Sequence, residues 1–216
     1  MSEIATQGVI ALSIALVIWY VVGMQVNRRR ASHLLRWIRE GVREFGGEAT
    51  WRGLGTSGFQ VTVKGARHPF RRIEMMVLLE PREMLLLWLF NRLRGRRDLM
   101  VLKADLRTRP KTEVEVINKG GRIAREVLKA IDEEGWIRGE IGDTNLMVAR
   151  KGKDIAALAE GLSPLVREHA PYILRISLRK ASPHLLVNLS LSGLEAMEAR
   201  AVFRLLGRLI EVCQRA

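Results

Sequence analysis

The chain has 216 residues, with 36 lysines and arginines against 23 acidic side chains, a net charge of +13 and a pI near 10.9. Its one cysteine, Cys213, excludes an internal disulfide framework and any multi-cysteine zinc site, and reads as a buried thiol on the last helix. The polypeptide is long enough for one sizeable domain with its own core, and its excess of positive charge directs attention to anionic neighbours.

In chain order, residues 4–27 carry no charged side chain, and Arg28-Arg29-Arg30 follow at once. At about 1.5 Å rise per residue, such a helix crosses a hydrocarbon core of roughly 30 Å. Trp19 and Tyr20 fall where an aromatic belt would meet the headgroups. A cleaved signal peptide would need a basic n-region and a small-residue cleavage site; the N-terminus offers only Glu3, and no such site follows Val26. The reading is a retained single-pass anchor over residues 8–27, after an extracytoplasmic tail, 1–7, and before a basic linker, 28–31. By the positive-inside rule Arg28, Arg29 and Arg30 form the cytoplasmic flank of this cell-membrane anchor, which leaves the N-terminus outside and residues 32–216 as a cytoplasmic domain.

The domain opens with a predicted helix over 32–45, in which Leu34, Leu35, Ile38, Val42 and Phe45 recur at helical spacing before Gly46-Gly47. Strands are expected at 49–54, at 59–64, where Phe59, Val61 and Val63 alternate, and at 73–79. Glu80-Pro81 starts a helix that Gly95 stops. Strands at 99–107 and 113–117 are predicted to pair as a hairpin around Arg109-Pro110. A helix at 122–134, strands at 136–140 and 146–151, a helix at 154–168, a hairpin of 174–180 with 185–190 turning at Ser182-Pro183, and a helix at 194–214 complete the chain. Pro110 and Pro183 lie 73 residues apart, as do Gly120 and Gly193. Trp51-Arg52-Gly53 is echoed by Trp136-Ile137-Arg138-Gly139, and Val63-Lys64-Gly65 by Arg150-Lys151-Gly152. The expected architecture is α+β, with two degenerate helix–hairpin–helix–hairpin copies, 32–118 and 121–191, and a closing helix; chance similarity between two α+β halves is the alternative.

Chemistry finds little foothold. Gly53-Leu54-Gly55-Thr56-Ser57-Gly58 fits G-x-G-x-x-G, but a strand rather than a helix follows, so these are hairpin-turn residues and not a dinucleotide site. His33, His68, His169 and His184 lack ligand spacing. There is no phosphate-binding lysine loop, nucleophile elbow or convincing pair of acid and base carboxylates. No enzyme activity, cofactor, metal or small-molecule substrate is expected.

The helix after Pro81 is more informative. Leu85, Leu86, Leu89, Phe90 and Leu93 share a face that can pack on a sheet, while Met84, Leu87 and Trp88 point away from it, flanking Asn91. Such a helix is either sandwiched in the domain or exposes Met84, Leu87 and Trp88 as a partner-docking patch, for a partner helix or a membrane interface. Between Arg82 and Arg125 twelve basic residues oppose five acidic ones. Within that stretch Arg92, Arg94, Arg96 and Arg97 crowd the helix end and the turn after it. A solvated surface is the plain explanation; clustering beside a membrane favours anionic headgroups or the phosphates of structured RNA.

The order of features resembles the calumin family, the coiled-coil-containing membrane subunit of the PAT chaperone complex. The resemblance runs through Arg36-Trp37-Ile38, then Val77-Leu78-Leu79-Glu80-Pro81-Arg82-Glu83-Met84-Leu85, then Asp98-Leu99-Met100-Val101-Leu102-Lys103-Ala104, and the closing helix. It implies a non-enzymatic chaperone-like scaffold for membrane-protein biogenesis, beside the Sec translocon and a small Asterix-type membrane partner, with the cytoplasmic domain toward the ribosome. That family has an acidic lumenal region and a long basic coiled coil reaching the ribosome; here seven residues precede the anchor and the chain stops at Ala216, as expected of a short prokaryotic or archaeal relative. The basic surface of the domain, Arg92, Arg94, Arg96 and Arg97, then takes the role of ribosome contact. The alternative is a membrane-tethered module that binds anionic lipid headgroups or nucleic acid.

Overall fold

The structure, a computed structural model, describes residues 2–151 and 155–215. Helix α1 (Ser2–Val42) is a single rod of 41 residues, about 60 Å long at 1.5 Å per residue. Residues 28–31, expected as a linker, lie inside it. No glycine or proline occurs between Gly23 and Gly41, and arginine and alanine are strong helix formers, so nothing local stops propagation. The turn that follows uses Gly46 and Gly47 at positive φ (63° and 75°), a conformation that glycine adopts without steric cost.

The remaining elements are β1 (Glu48–Gly53), β2 (Gly58–Lys64), β3 (Phe70–Leu78), α2 (Leu85–Leu93), β4 (Leu99–Leu106), β5 (Val114–Asn118), α3 (Arg122–Glu133), β6 (Ile137–Glu140), β7 (Leu146–Arg150), α4 (Ile155–Val166), β8 (Ile173–Leu178), β9 (Leu185–Ser190) and, after a 3-10 turn at Leu194–Ala196, α5 (Ala199–Arg215). Asp154, the expected start of α4, and Gly152 of the sequence echo lie outside the described residues. The class is α+β. Among the described residues the strands form one nine-stranded sheet, ordered β1-β2-β3-β4-β9-β8-β5-β7-β6, with every neighbouring pair antiparallel.

Strand alternation decides which face is dry. Val61 and Val63 of β2, Ile73, Met75 and Val77 of β3, Met100 and Leu102 of β4 and Val187 of β9 are all fully buried. They meet Leu34, Trp37, Ile38 and Val42 from the second half of α1, Leu158 and Leu162 of α4, and Phe203, Leu206 and Ile210 of α5 in one core. On the opposite face α3 covers only the β5–β7 end, through Ala124, Val127 and Ile131 against Ile117, Trp136 and Ala149. The rest of that face carries Gln60, Thr62, Glu74, Met76, Val101, Lys103 and Asn188, half-buried or exposed.

The predicted hairpin of β4 with β5 does not form, and the predicted pair of helix–hairpin–helix–hairpin repeats is not made. β4 pairs with β3 and β9, β5 with β7 and β8, and the β8–β9 hairpin sits between them. The reason is geometric. Crossing from β4 to β5 means stepping over three strand spacings, about 14 Å, and seven extended residues reach farther than that. Residues 107–113 make the crossing, tied down where Arg109 Nε donates to the Lys180 carbonyl (2.9 Å) and the Lys180 N–H donates to Glu113 (3.1 Å). A loop of that length does not dictate a tight hairpin, so burial of Leu185, Val187 and Leu189 between the halves wins. Pro183 lies in the β8–β9 turn, whereas Pro110 lies in the crossing; their 73-residue spacing marks no common element. The two tryptophan echoes fall on β1 and beside β6, the two edges of the sheet.

Two predicted helices are also shorter. The closing helix is interrupted at Met197, which is extended (ψ 156°), because its carbonyl accepts the Trp37 indole N–H at 2.8 Å. α2 starts four residues after Pro81, for reasons that belong to the site below.

Gly41 is where α1 and α5 touch: a Cβ there would fall 2.1 Å from the Phe203 ring, which is itself buried. Gly41→Ala improves helix propensity by about 1 kcal/mol but forces this contact open, at about 1–3 kcal/mol. Chemical denaturation of the full chain in detergent micelles should therefore show a net loss. A gain in stability would mean that the two helices part freely.

Candidate membrane-facing site

Among the described residues, α1 is the one helix long and apolar enough to cross a membrane. Its large side chains from Ile4 (77 % exposed) to Val22 (55 %) are exposed, Trp19 least of them. The surroundings change at Gly23, which is buried. A Cβ there would fall 2.4 Å from the Arg82 carbonyl oxygen, so only glycine lets the segment between β3 and α2 lie against the helix. The Trp19 indole N–H donates to that same carbonyl at 2.9 Å. One helical turn after Gly23, Asn27 is fully buried: its Nδ2 donates to the Glu80 carbonyl (2.9 Å) and to Glu83 Oε2 (2.7 Å), and its Oδ1 accepts from Arg82 Nη1 (2.9 Å). These contacts explain the late start of α2. The carbonyls of Glu80 and Arg82 are spent on α1, and residues 80–84 close two turns of their own, Arg82 N–H to Glu80 and Met84 N–H to Pro81. The proline preference for a first helical turn is overridden by tertiary hydrogen bonds.

Asp98 anchors the other side of this junction. It is buried and accepts from Arg82 through both guanidinium nitrogens (3.1 and 3.0 Å), from Arg30 Nε (3.1 Å) and from the Glu80 N–H (2.9 Å). Burial alone would push its carboxyl up; the hydrogen bonds from Arg82 and the Glu80 N–H, then the charge of Arg82 and the hydrogen bond from Arg30, outweigh it and hold the carboxyl below the usual range. Arg30 also pairs with Glu195 and donates to the Leu191 carbonyl. Of the three flanking arginines, Arg28 and Arg29 are exposed and Arg30 is drawn into the domain. The turn of the G-x-G-x-x-G segment also contributes, since Thr56 Oγ1 donates to Glu83 Oε1 at 2.9 Å. Gly55 (φ 69°) and Gly58 (φ 148°) make it the hairpin turn the sequence predicts, and a Cβ on Gly58 would strike the Val77 carbonyl at 1.9 Å.

α2 packs on α1 and is not sandwiched against the sheet. The face toward the protein is Asn91, buried, and Trp88, half-buried, whose ring meets Trp19 with centroids 5.5 Å apart. The face predicted to pack on the sheet points outward: Leu86 is 80 %, Leu89 46 %, Phe90 47 % and Leu93 80 % exposed. Met84 and Leu87 are exposed on the flanks, so Trp88 does not share one open patch with them. Arg92, Arg94, Arg96 and Arg97 are all exposed. Arg92 lies over Trp88 (5.6 Å) and Arg94 over Phe90 (3.9 Å), while Arg96 donates to Asn91 Oδ1 and Arg97 to the carbonyls of Arg92 and Arg96. Arg82 belongs to the Asp98 pair and not to this group.

Sequence reasoning singled out the two arginine groups and α2 but missed Asn27, Glu83 and Asp98. A signal existed: Asn27 is a carboxamide at the end of a chargeless, largely apolar run, and Asp98 is an acid directly after Arg96-Arg97. Of the histidines, His184 Nδ1 accepts from the Leu106 N–H (3.1 Å), and His169 is buried far along the chain beside the core. Among the described residues no three His, Cys, Asp or Glu side chains gather as a metal site requires. No protein-family model matches the chain, and no curated protein matches it in sequence.

Because the Asp98 carboxyl is depressed in the folded state, its contribution is intact above the ordinary carboxylate value of about 4 and is lost as pH falls below it. Asp98→Asn leaves two guanidiniums facing each other. It should cost about 2–3 kcal/mol, toward the low side of a broken buried pair because both arginines keep some contact with water. Thermal unfolding of the full chain in micelles between pH 7 and pH 3 checks both points: wild type should lose stability on acidification, and the variant should start lower and lose less. Parallel curves would remove Asp98 from the junction's energetics.

Proposed function

We propose that the chain is a non-enzymatic scaffold of membrane-protein biogenesis, held in the cell membrane by α1, with its N-terminus outside and the sheet domain in the cytoplasm. The observation that carries this reading is the continuity of α1. The apolar rod enters the domain without a break and is clamped there through Gly23, Asn27 and Arg30. A domain joined in this way keeps one orientation relative to the span, as a scaffold beside other membrane components requires, whereas a mobile tether would not. Arg28 and Arg29, exposed just past the uncharged stretch, support the orientation by the positive-inside rule. The resemblance to the calumin family supplies the partners: a Sec translocon, a small Asterix-type membrane protein meeting Met84 and Leu87 on the flanks of α2, and a ribosome approached by the basic surface. A second reading, a tethered module that binds anionic headgroups or nucleic acid, is favoured by one specific observation, the four exposed arginines beside an apolar helix.

Two measurements test the proposal. A reporter fused after Ala216 should be cytoplasmic and the protein should resist carbonate extraction; an external C-terminus would overturn the orientation. Crosslinking in native membranes should recover translocon subunits and ribosomal proteins, and that ribosome association should weaken steeply with salt, and further when Arg92, Arg94, Arg96 and Arg97 become glutamate. Recovery of a lone metabolic enzyme or of DNA would overturn the biogenesis reading.

A further inference from the structure

Among the described residues the outer face of α2 is a contiguous, exposed apolar strip. On a helical wheel Asn91 and Trp88, which face the protein, lie opposite Leu86, Leu89, Phe90 and Leu93. The strip adjoins another uncovered apolar surface, that of α1, through the Trp19–Trp88 contact. Its height along α1 is fixed by two backbone contacts, Trp19 to the Arg82 carbonyl and Gly23 against residues 82 and 83. About twenty helical residues fill a hydrocarbon core of roughly 30 Å; because Gly23 and Asn27 are taken up by the domain, the span fits residues 4–23, four residues before the 8–27 expected from the sequence. That places α2 where the core meets the headgroups.

We propose that α2 lies in the cytoplasmic leaflet, with Leu86, Leu89, Phe90 and Leu93 among the acyl chains and Arg92, Arg94, Arg96 and Arg97 on anionic lipid headgroups. The inference rests on the reading of α1 as the span and deepens the second reading above: it gives the four arginines to lipid in place of the ribosome and leaves the translocon partners untouched. The charge pattern fits a lipid surface. Positive charge is confined to the last turn of the helix and the loop after it, and the Arg94 guanidinium lies over Phe90 of the outer strip, as a long side chain does when it reaches from an apolar layer toward phosphates; Arg92, exposed over Trp88, also neighbours Glu80 at 3.8 Å. A protein partner fits less well, because four side chains on a nine-residue helix offer a few hundred Å², short of the roughly 800 Å² per partner of a stable interface. With a second membrane contact beside the span, the domain can neither swing nor rotate about α1 without withdrawing apolar side chains from lipid.

The test uses the full chain reconstituted in vesicles of phosphatidylcholine with or without phosphatidylglycerol, with no other protein present. Single probe sites are made by Leu86→Cys and Leu93→Cys, with Ile14→Cys in the span and Lys103→Cys on the open sheet face as references. Each carries an environment-sensitive fluorophore. Native Cys213 is buried, its thiol pushed up by burial to about 12, so it stays unlabelled. Iodide quenching at positions 86 and 93 should be at least about fivefold weaker than at 103 and close to that at 14. In vesicles with phosphatidylglycerol, changing Arg92, Arg94, Arg96 and Arg97 to glutamine should raise quenching at 86 and 93 at least about twofold and leave 14 unchanged. Shielding at 14 with free quenching at 86 and 93 would overturn the inference while leaving the span intact. Free quenching at 14 would overturn the span itself. Shielding that fades as the protein is diluted in lipid would assign the strip to a second copy of the chain instead, and equal shielding with and without the arginines would remove the headgroup contact.

Discussion

The carboxylate of Asp98 and the carboxamide of Asn27 together determine how the rod and the domain are joined. Each is buried in contact with segments that are distant in sequence, and each is fully used: Asp98 by two arginines and a backbone N–H, Asn27 by a carbonyl, a carboxylate and a guanidinium. Buried polar groups are costly when unpaired and specific when paired, because only one arrangement satisfies them all. Here that arrangement sets the rotation of α1 about its own axis. Turning the helix by one residue would bring a valine, Val26, or an arginine, Arg28, to the place Asn27 occupies, and would remove the hydrogen bonds it gives to the Glu80 carbonyl and Glu83 Oε2. The apolar core of α1, α4 and α5 provides the bulk of the burial, but an apolar contact tolerates small rotations that this network does not.

The network also explains why α2 stands apart from the sheet. Residues 80–84 are committed to α1 through their backbone, so the chain leaves β3 toward the apolar half of the rod and not over the open sheet face. α2 then ends where Arg96 and Arg97 fold back on the carbonyls and side chain of its last turn, and Asp98 returns the chain to β4. The segment between two neighbouring strands is thereby carried outward to the helix and back, held at both ends by the same carboxylate and its partners. The exposed leucines are a consequence of that route, and a sheet-packed α2 would require breaking it.

Local structure was largely legible in the sequence, because strand alternation and helix periodicity are properties of short windows. The glycine turn at residues 53–58 was legible as well, since the residue pattern after it alternates. What was not legible is pairing over distance. β4 and β5 are neighbours in sequence, and an unstructured seven-residue connection says nothing about whether another hairpin slips between them. That outcome depends on Leu185, Val187 and Leu189 fitting the gap, a matter of packing among residues far apart in the chain. The direction of α2 failed for a related reason. Its amphipathicity shows two apolar faces, and only the contacts of Trp19 and Gly23 decide which of them meets protein. A single tryptophan within an apolar helix gives no sign that its N–H will find a carbonyl 63 residues away.

The junction bears on how forces pass between the apolar half of α1 and the sheet. A helix and a domain joined by a flexible linker are independent, so binding at one changes nothing at the other. Here α1 enters the principal core through Leu34, Trp37 and Ile38 without a break, and α2 is locked to it before the core begins. Anything that tilts the apolar half of α1 must move residues 80–84 with it, because glycine, indole and carboxamide all hold that segment. Those residues lead directly into β3, which pairs with β2 and β4 along its length. The open face of the sheet beside these strands, with Glu74, Lys103 and Asn188, therefore shares one mechanical unit with the rod. A partner that grips this face and a partner that contacts α1 or α2 act on the same rigid body, and the geometry of one contact constrains the other.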